Sequence, residues 1–279
     1  EGEEGRTELV ALLDQLNAYM ALVAPALPAG PVKEEWKRDI AALSKTIVDR
    51  FYDPASGRFF GTRGNPDSET PRGRHNDFGH SVKAFWMLYL GAQMNGDEKL
   101  RAFARDGMRR IVDTAYLPAT GSWGSRMKPG GEVDAGKEWW IYAELDQALS
   151  TLAVEEGDSP ERLEHTWRFW LDHMVDKRGG EVWGWVAPDG SVPAGAIKQH
   201  QWKNGFHSME HAVVSYLAAQ ALNGKPARLY YAFENGMPEL TPSAYTMHGK
   251  ARKTSTRTEG DVKVVEIEFD LPHSKQVMH

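Results

Sequence analysis

The sequence predicts an all-α fold of repeated helix pairs, followed by a small antiparallel β region. Apolar residues recur at helical spacing through most of the chain, and a turn containing glycine and aromatic residues recurs about every sixty residues. From Ala227 onward the pattern changes to the alternation that is typical of strands, with Gly260-Asp261 as a turn. We therefore expect a helical-pair region over 1–226 and a β-rich appendage over 227–279.

The apolar periodicity predicts seven helices. The first is an apolar stripe from Leu9 to Val23, which ends before Pro25. Ser159-Pro160 is typical of a helix start, and Gly224 of a helix end. The other six helices are predicted over residues 33–52, 80–94, 97–116, 138–155, 159–176 and 207–222.

The repeated turn predicts where a site would lie. Gly57, Gly121 and Gly180 each stand between a helix end and aromatic residues. A long loop and a helix start follow each turn, near His80, Lys137 and His207. If the units are equivalent, these three helices form an inner layer and their starts face one end of the assembly. The positive ends of helix dipoles and long loops would then converge there, which favours a binding site.

Composition excludes several classes of function. The 279 residues carry a net charge of -6, which argues against nucleic acid and against an anionic membrane as partners. Cysteine is absent, so disulfides and thiolate metal sites are excluded. The chain starts without methionine, and about three and a half helix pairs would leave an apolar face open. We expect an upstream segment or a second subunit to cover residues 7–24.

Histidines are the first candidate catalytic residues. His80 follows Asp77-Phe78-Gly79 at a predicted helix start, where the alternative is a solvent-facing or capping histidine. His207 and His211 are four apart and share a helix face, as a zinc pair would. The H-E-x-x-H order is absent, however, and no third ligand has a convincing spacing. We therefore predict no metal site.

An aromatic ring beside an acid is the second candidate feature. Trp140 and Glu144 are four apart in the segment that begins Lys137-Glu138-Trp139. A ring that stacks on C–H groups beside an acid that binds hydroxyls suits carbohydrate, whereas a core tryptophan with a solvated acid is the alternative. Paired carboxylates for glycoside hydrolysis also stay open. The acids near the predicted mouth are Asp77, Glu138 and Glu144.

Three segments resemble the N-acylglucosamine 2-epimerase family, which includes cellobiose 2-epimerases and aldose-ketose isomerases. They are Gly79-His80-Ser81-Val82 followed by Phe85-Trp86, Lys137-Glu138-Trp139-Trp140 through Glu144, and Trp202-Lys203-Asn204-Gly205-Phe206-His207. The resemblance covers about residues 7–225 and implies an (α/α)6 barrel, incomplete here at its N-terminus, with the site at the mouth. It leaves the compartment unknown, since the family default is cytoplasmic and the absence of cysteine also fits export.

The resemblance also implies a chemistry and a set of residues. Family members open a sugar ring, remove the proton next to the carbonyl and return it to the other face or to the neighbouring carbon. His80 and His207 match the acid/base pair, and Trp140 and Glu144 match the substrate-contacting pair. The further residues that we expect to bind substrate are Glu138, Lys83, Asp77 and Lys203.

Two positions depart from the family pattern. Lys83 replaces a glutamate, and Ala21 replaces an active-site histidine. The leading hypothesis is a sugar epimerase or isomerase that acts on a free reducing sugar with no cofactor. The alternatives are a carbohydrate hydrolase or lyase on the same barrel, and a non-catalytic carbohydrate-binding protein.

Overall fold

Helices form most of the structure, a computed structural model that describes residues 8–13, 18–61, 76–234 and 241–272. The α-helices are α1 (Leu9–Leu12), α2 (Ala18–Val23), α3 (Pro31–Phe51), α4 (Phe78–Asn95), α5 (Glu98–Ala115), α6 (Trp139–Thr151), α7 (Glu161–Phe169) and α8 (Phe206–Leu222). A 3-10 turn, Ala24–Ala26, follows α2, and π-helical turns over Leu152–Glu156 and Trp170–Met174 extend α6 and α7.

The six long helices predicted from periodicity are confirmed, with their ends within two residues of the predicted ones when the π-helical turns are included. Of the first predicted helix, from Leu9 to Val23, the structure describes two helical parts, α1 and α2. Residues 14–17 between them lie outside the described part of the chain.

The helices form an inner and an outer layer, as the repeat predicted. Nearly every residue of α4 and α6 is buried, and α4 packs against α3, α5 and α6, while α6 also packs against α8. By contrast, α3, α5 and α7 bury one face each. The inner layer is therefore α4 and α6, and α8, which buries one face, packs beside α6.

The repeated turn has one geometry at its three positions. Short strands pair antiparallel after α3 (β1, Tyr52–Asp53, with β2, Arg58–Phe59) and after α5 (β3, Tyr116–Leu117, with β4, Ser122–Trp123). A bridge between Val175 and Val182 takes the same place in the third turn. The glycines Gly57, Gly121 and Gly180 have φ of 69°, 58° and 72°, a left-handed conformation that glycine adopts without strain.

Two further strand pairs shape the loops at the inner-helix starts. The first is a hairpin of β5 (Arg126–Met127) and β6 (Val133–Asp134). The second joins β7 (Lys137–Glu138) to β8 (Trp185–Val186). Because β7 leads directly into α6, this pairing fixes the start of α6 against the loop that follows the third turn.

The C-terminal region is a three-stranded antiparallel sheet, as predicted. Its strands are β9 (Ala227–Glu234), β10 (Lys250–Glu259) and β11 (Val262–Asp270), with β11 in the centre. One face packs on α8, where Ile267 and Phe269 share an apolar cluster with Val214 and Leu217. Strand β10 is exposed along its whole length and rich in lysine, arginine and threonine, which discourages pairing with other chains.

The apolar face near the N-terminus is partly covered by the chain itself. Leu9 and Leu13 are fully buried in the same cluster as α4, whereas Tyr19 is exposed. These two leucines therefore need no cover from outside, and the upstream segment or second subunit stays a prediction for the rest of 7–24. Within the described ranges, no helix has the length and apolar character that crossing a bilayer requires.

Candidate active site

His80 is fixed at the start of α4 by the residue that caps the helix. One carboxylate oxygen of Asp77 accepts the backbone N–H of His80 at 2.8 Å, and the other contacts the imidazole Nδ1 at 2.7 Å. Burial alone would raise the pKa of Asp77, but the charge and hydrogen bonds of His80 hold it below its usual range. An ionised carboxylate can only accept, so Nδ1 donates and Nε2 is the basic nitrogen.

Trp140, the second residue of α6, stands beside both candidate histidines. Its ring centroid lies 4.5 Å from that of His80 and 6.3 Å from that of His207, both with the rings edge-on. Gly79 makes room for the indole, because a Cβ on Gly79 would lie 2.6 Å from the Trp140 ring. The two histidines therefore meet at the same end of the inner helices, as the sequence predicted.

His207, the second residue of α8, contacts a carboxylate from another helix. Its Nε2 lies 3.2 Å from Oε1 of Glu144, which is fully buried. The Trp86 indole N–H donates to Oε2 of Glu144 at 2.6 Å, and the Lys83 ammonium group lies 3.2 Å from Oε1. Burial alone would raise the pKa of Glu144, but Lys83 and His207 hold it at about 2. Glu144 therefore orients His207 from beneath the surface, whereas the sequence suggested that it binds sugar hydroxyls.

The remaining predicted binding residues occupy different surroundings. Glu138 is half-buried at the mouth, where it accepts the Trp140 indole N–H at 3.1 Å and contacts Arg126 at 3.3 Å. Asp77 is buried behind His80. The Lys203 ammonium group is buried, pairs with Glu181 and lies over the Trp139 ring. That contact ties the loop before α8 to the third turn.

His211 has different partners from His207. Its Nε2 contacts Asp146 at 2.7 Å and its ring stacks on Trp170 inside the core. One group with metal-ligand spacing does exist among the described residues, because Glu144, His207 and Glu210 offer ligand atoms within 4.8 Å of one another. The Lys83 ammonium group beside Glu144 would repel a cation there, so we assign no metal to the group.

Three site residues were missed by the sequence reasoning: Trp86, Glu210 and Tyr245. Glu210 lies on α8, buried, and its Oε1 accepts the Tyr245 hydroxyl at 2.6 Å. Tyr245 belongs to the segment 241–249 between β9 and β10, and this segment also lines a cavity with Ala21. For Glu210 the sequence did offer a signal: it follows His207 by three residues, which places both side chains on one face of a helix.

Two cavities open beside Trp202, whose ring is exposed. The first, of about 270 Å³, is lined by His207, Lys83, Trp86 and Glu210 among others. The second, of about 510 Å³, is lined by Trp140, Trp185, His200 and Glu138 among others. Aromatic walls with a few charged groups are typical of small-molecule sites, and the tryptophans favour carbohydrate.

Comparison with known proteins gives relatives of one kind. No family model matches the chain. A cellobiose 2-epimerase from Bacteroides fragilis is 29% identical over 138 residues, which cover 47% of this chain and 35% of the relative. A cellobiose 2-epimerase from Eubacterium cellulosolvens is 26% identical over 214 residues, which cover 71% of this chain and 52% of the relative. The chain thus spans about half or less of the length of these relatives.

Solved structures agree on the fold. The cellobiose 2-epimerase from Spirochaeta thermophila matches with a TM-score of 0.59 at 23% identity, over 76% of this chain and 52% of that one. A family 76 glycoside hydrolase (mannosidase) from Bacteroides thetaiotaomicron matches with a TM-score of 0.58 at 14% identity, over 77% and 56%. The helix pairs therefore have the (α/α)6-barrel architecture. The chain is related to the cellobiose 2-epimerases, and its resemblance to the N-acylglucosamine 2-epimerase family is confirmed.

Proposed function

We propose that this chain carries the active site of an epimerase or isomerase of free reducing sugars, in which His80 and His207 transfer the proton. The observation that supports this most is the pair of oriented imidazoles: each histidine rests on a buried carboxylate, and both rings lie against Trp140. The relatives named cellobiose 2-epimerase support the substrate class.

The proposed reaction needs two bases that act on one carbon. One imidazole removes the proton at C2 of the open-chain sugar, the C–H electron pair forms a C1–C2 double bond, and the carbonyl π electrons move to the carbonyl oxygen. The other imidazole, in its protonated form, returns a proton to the opposite face or to C1. Imidazole suits both steps because its ordinary pKa lies near neutrality.

The hydrolase alternative, as predicted with Asp77 or Glu138, needs a protonated acid that these two residues do not supply. A glycosidase needs one carboxylic acid that stays protonated to assist the leaving group. Asp77 is ionised against His80, and Glu138 is engaged by Arg126 and Trp140. Neither of these two acids is therefore placed as the protonated acid of a glycosidase, whereas both histidines are oriented for proton transfer.

Solvent deuterium uptake at C2 tests the proposal. Cellobiose, glucose, mannose and N-acetylglucosamine are incubated with the protein in heavy water and followed by NMR. We expect uptake with at least one sugar, and a fall of at least about a hundred-fold in His80→Asn and His207→Asn. His165→Asn is the matched control, because His165 is exposed on α7 and bonded to Tyr116 away from the site.

The alternatives give different results in the same experiment. New reducing ends without deuterium at C2 would establish the hydrolase. Sugar binding without turnover would establish the binding protein. Full exchange by His207→Asn would refute the role of that histidine.

A further inference from the structure

A second buried acid stands beside Glu144, and the proposed proton transfer does not use it. Glu210 is 6% exposed and lines the same cavity as His207 and Lys83. One carboxylate oxygen of Glu144, one of Glu210 and a ring nitrogen of His207 lie within 4.8 Å of one another. Two ionised carboxylates this close in a buried place would repel strongly, so one of them keeps a proton.

The hydrogen-bond partners decide which acid keeps the proton. Glu144 accepts from Trp86, Lys83 and His207. Glu210 accepts from the neutral Tyr245 hydroxyl, and its Oε2 is buried without a hydrogen-bond partner among the described residues. The acid with a cation and two further donors ionises, and the acid with one neutral donor stays protonated.

The burial of Glu210 and the charge of Glu144 also favour the protonated form of Glu210. Burial and the Glu144 carboxylate raise the pKa of Glu210 to about 8, against the smaller lowering effects of Tyr245 and Lys83. Burial and the neighbouring Glu210 raise the pKa of Tyr245 as well, so the phenol keeps its proton and remains the donor of the pair. At neutral pH Glu210 is therefore a carboxylic acid with a proton to give.

We infer that Glu210 is the acid that protonates the sugar oxygen on which negative charge develops, and that Tyr245 holds it in position. When the histidine base takes the C2 proton, the carbonyl π electrons move to the carbonyl oxygen. The Glu210 O–H bond breaks and its proton passes to that oxygen, which gives a neutral enediol and a Glu210 carboxylate. The proton returns to Glu210 as the protonated histidine delivers its own proton to carbon.

The surroundings suit both protonation states of Glu210 in this cycle. Lys83 and the Tyr245 hydroxyl stabilise the transient carboxylate, since both lower the pKa of Glu210. A neutral acid in an apolar site is an effective partner for a developing enolate oxygen, because the transferred charge is neutralised and not merely solvated. This inference rests on the proposed function, since it needs a carbonyl carbon that loses a proton.

The test measures the pH dependence of deuterium exchange in three variants. In the wild type, kcat/KM falls as pH rises through about 8, because the acid is then ionised. Glu210→Gln lowers kcat by on the order of a hundred-fold with little change in KM, and abolishes this alkaline limb. Tyr245→Phe moves the limb to higher pH, because the Tyr245 hydrogen bond lowers the pKa of Glu210. Glu155→Gln is the matched control, since Glu155 bonds to His248 of the same segment 241–249 without touching Glu210.

A spectroscopic readout separates chemistry from packing. The infrared carbonyl band of a buried carboxylic acid should be present at neutral pH in the wild type and in Glu155→Gln, and absent in Glu210→Gln. If Glu210→Gln does not fold, the position of the alkaline limb in Tyr245→Phe decides the matter.

Two failures are distinguishable. Exchange by Glu210→Gln at the wild-type rate and with the wild-type alkaline limb overturns the role of Glu210 and leaves the epimerase proposal standing. The role of Glu210 is also overturned if the wild type shows no infrared carbonyl band of a protonated carboxylic acid at neutral pH. A wild type that exchanges no sugar proton overturns the proposed function, and the role of Glu210 falls with it.

Discussion

The two candidate histidines are held in opposite ways. His80 depends on Asp77, three residues earlier on the same helix start, in a contact that also caps α4. His207 depends on Glu144, which is 63 residues away on another inner helix and is itself paired with Lys83 of α4. One histidine is thus fixed by local geometry, whereas the other is fixed by the assembly of three helices.

The positions of the two histidines therefore depend on different parts of the fold. The arrangement around His80 needs only that α4 begins at the right residue. The arrangement around His207 places a carboxylate, an ammonium group and a second acid in one buried space, where each charge is tolerated because the others are present. Changes around His207 should therefore affect stability as well as chemistry.

The largest expected effect is the loss of the cation beside His207 and Glu144. Lys83→Met leaves the Glu144 carboxylate buried without its ammonium partner, and we expect the free energy of unfolding to fall by about 3–5 kcal/mol. Asp77→Asn, beside His80, keeps a capping side chain, so a loss of about 1 kcal/mol is expected. Urea denaturation of both variants measures the difference, and equal losses would show that the surroundings of the two histidines do not differ in this way.

The pH dependence of the free energy of unfolding should show an effect of similar size, whose sign follows from the pKa of Glu210. The pKa of Glu210 is raised from its ordinary 4.5 to about 8 in the folded protein, so its contribution is fully present below pH 4.5 and is lost as pH rises to about 8. Glu210→Gln should remove this decline. Between pH 4.5 and pH values above 8, the wild type should lose on the order of 5 kcal/mol more stability than the variant.

The contribution of Glu144 to stability depends on pH in the opposite direction. Its pKa is lowered to about 2, so its contribution is present above pH 4.5 and is lost as pH falls toward 2. Urea titrations at a series of pH values separate the two acids. If the wild type loses no stability between pH 4.5 and 8, Glu210 is ionised in the folded state.

The smallest effect compares two glycines at inner-helix starts. A Cβ at Gly79 would meet the Trp140 ring at 2.6 Å, whereas a Cβ at Gly205 meets nothing within 4 Å. We expect Gly79→Ala to cost about 1–3 kcal/mol and to displace the Trp140 ring, and Gly205→Ala to change stability by about 0.5 kcal/mol or less. Thermal denaturation with near-ultraviolet circular dichroism measures both changes, and an unaltered tryptophan signal in Gly79→Ala would contradict the close contact.

The sequence predicted what depends on local spacing. Helix positions followed from apolar periodicity, and the three turns followed from Gly57, Gly121 and Gly180. His80 and His207 were predicted to lie near each other because both stand at helix starts that the repeat brings to one end. The motifs then indicated the resemblance to sugar epimerases.

Long-range contacts explain what the sequence did not predict. The burial of Glu144 depends on which helices surround it, and no pattern near residue 144 shows that Lys83 and Trp86 face it. The partner of Glu210 comes from a segment 35 residues further along, between two strands. Lys203 looked like a binding residue because of its motif, but its ammonium group is buried against Glu181.

The packing of the C-terminal sheet on α8 limits which residues of the two elements can be substituted independently. Helix α8, which carries His207 in its first turn, also carries the apolar residues that bury Ile267 and Phe269 of β11. Replacement of the sheet by another module would uncover that helix and shift the imidazole at its start. Variation should therefore accumulate in β10, whose side chains are exposed throughout, while β11 and α8 change only together.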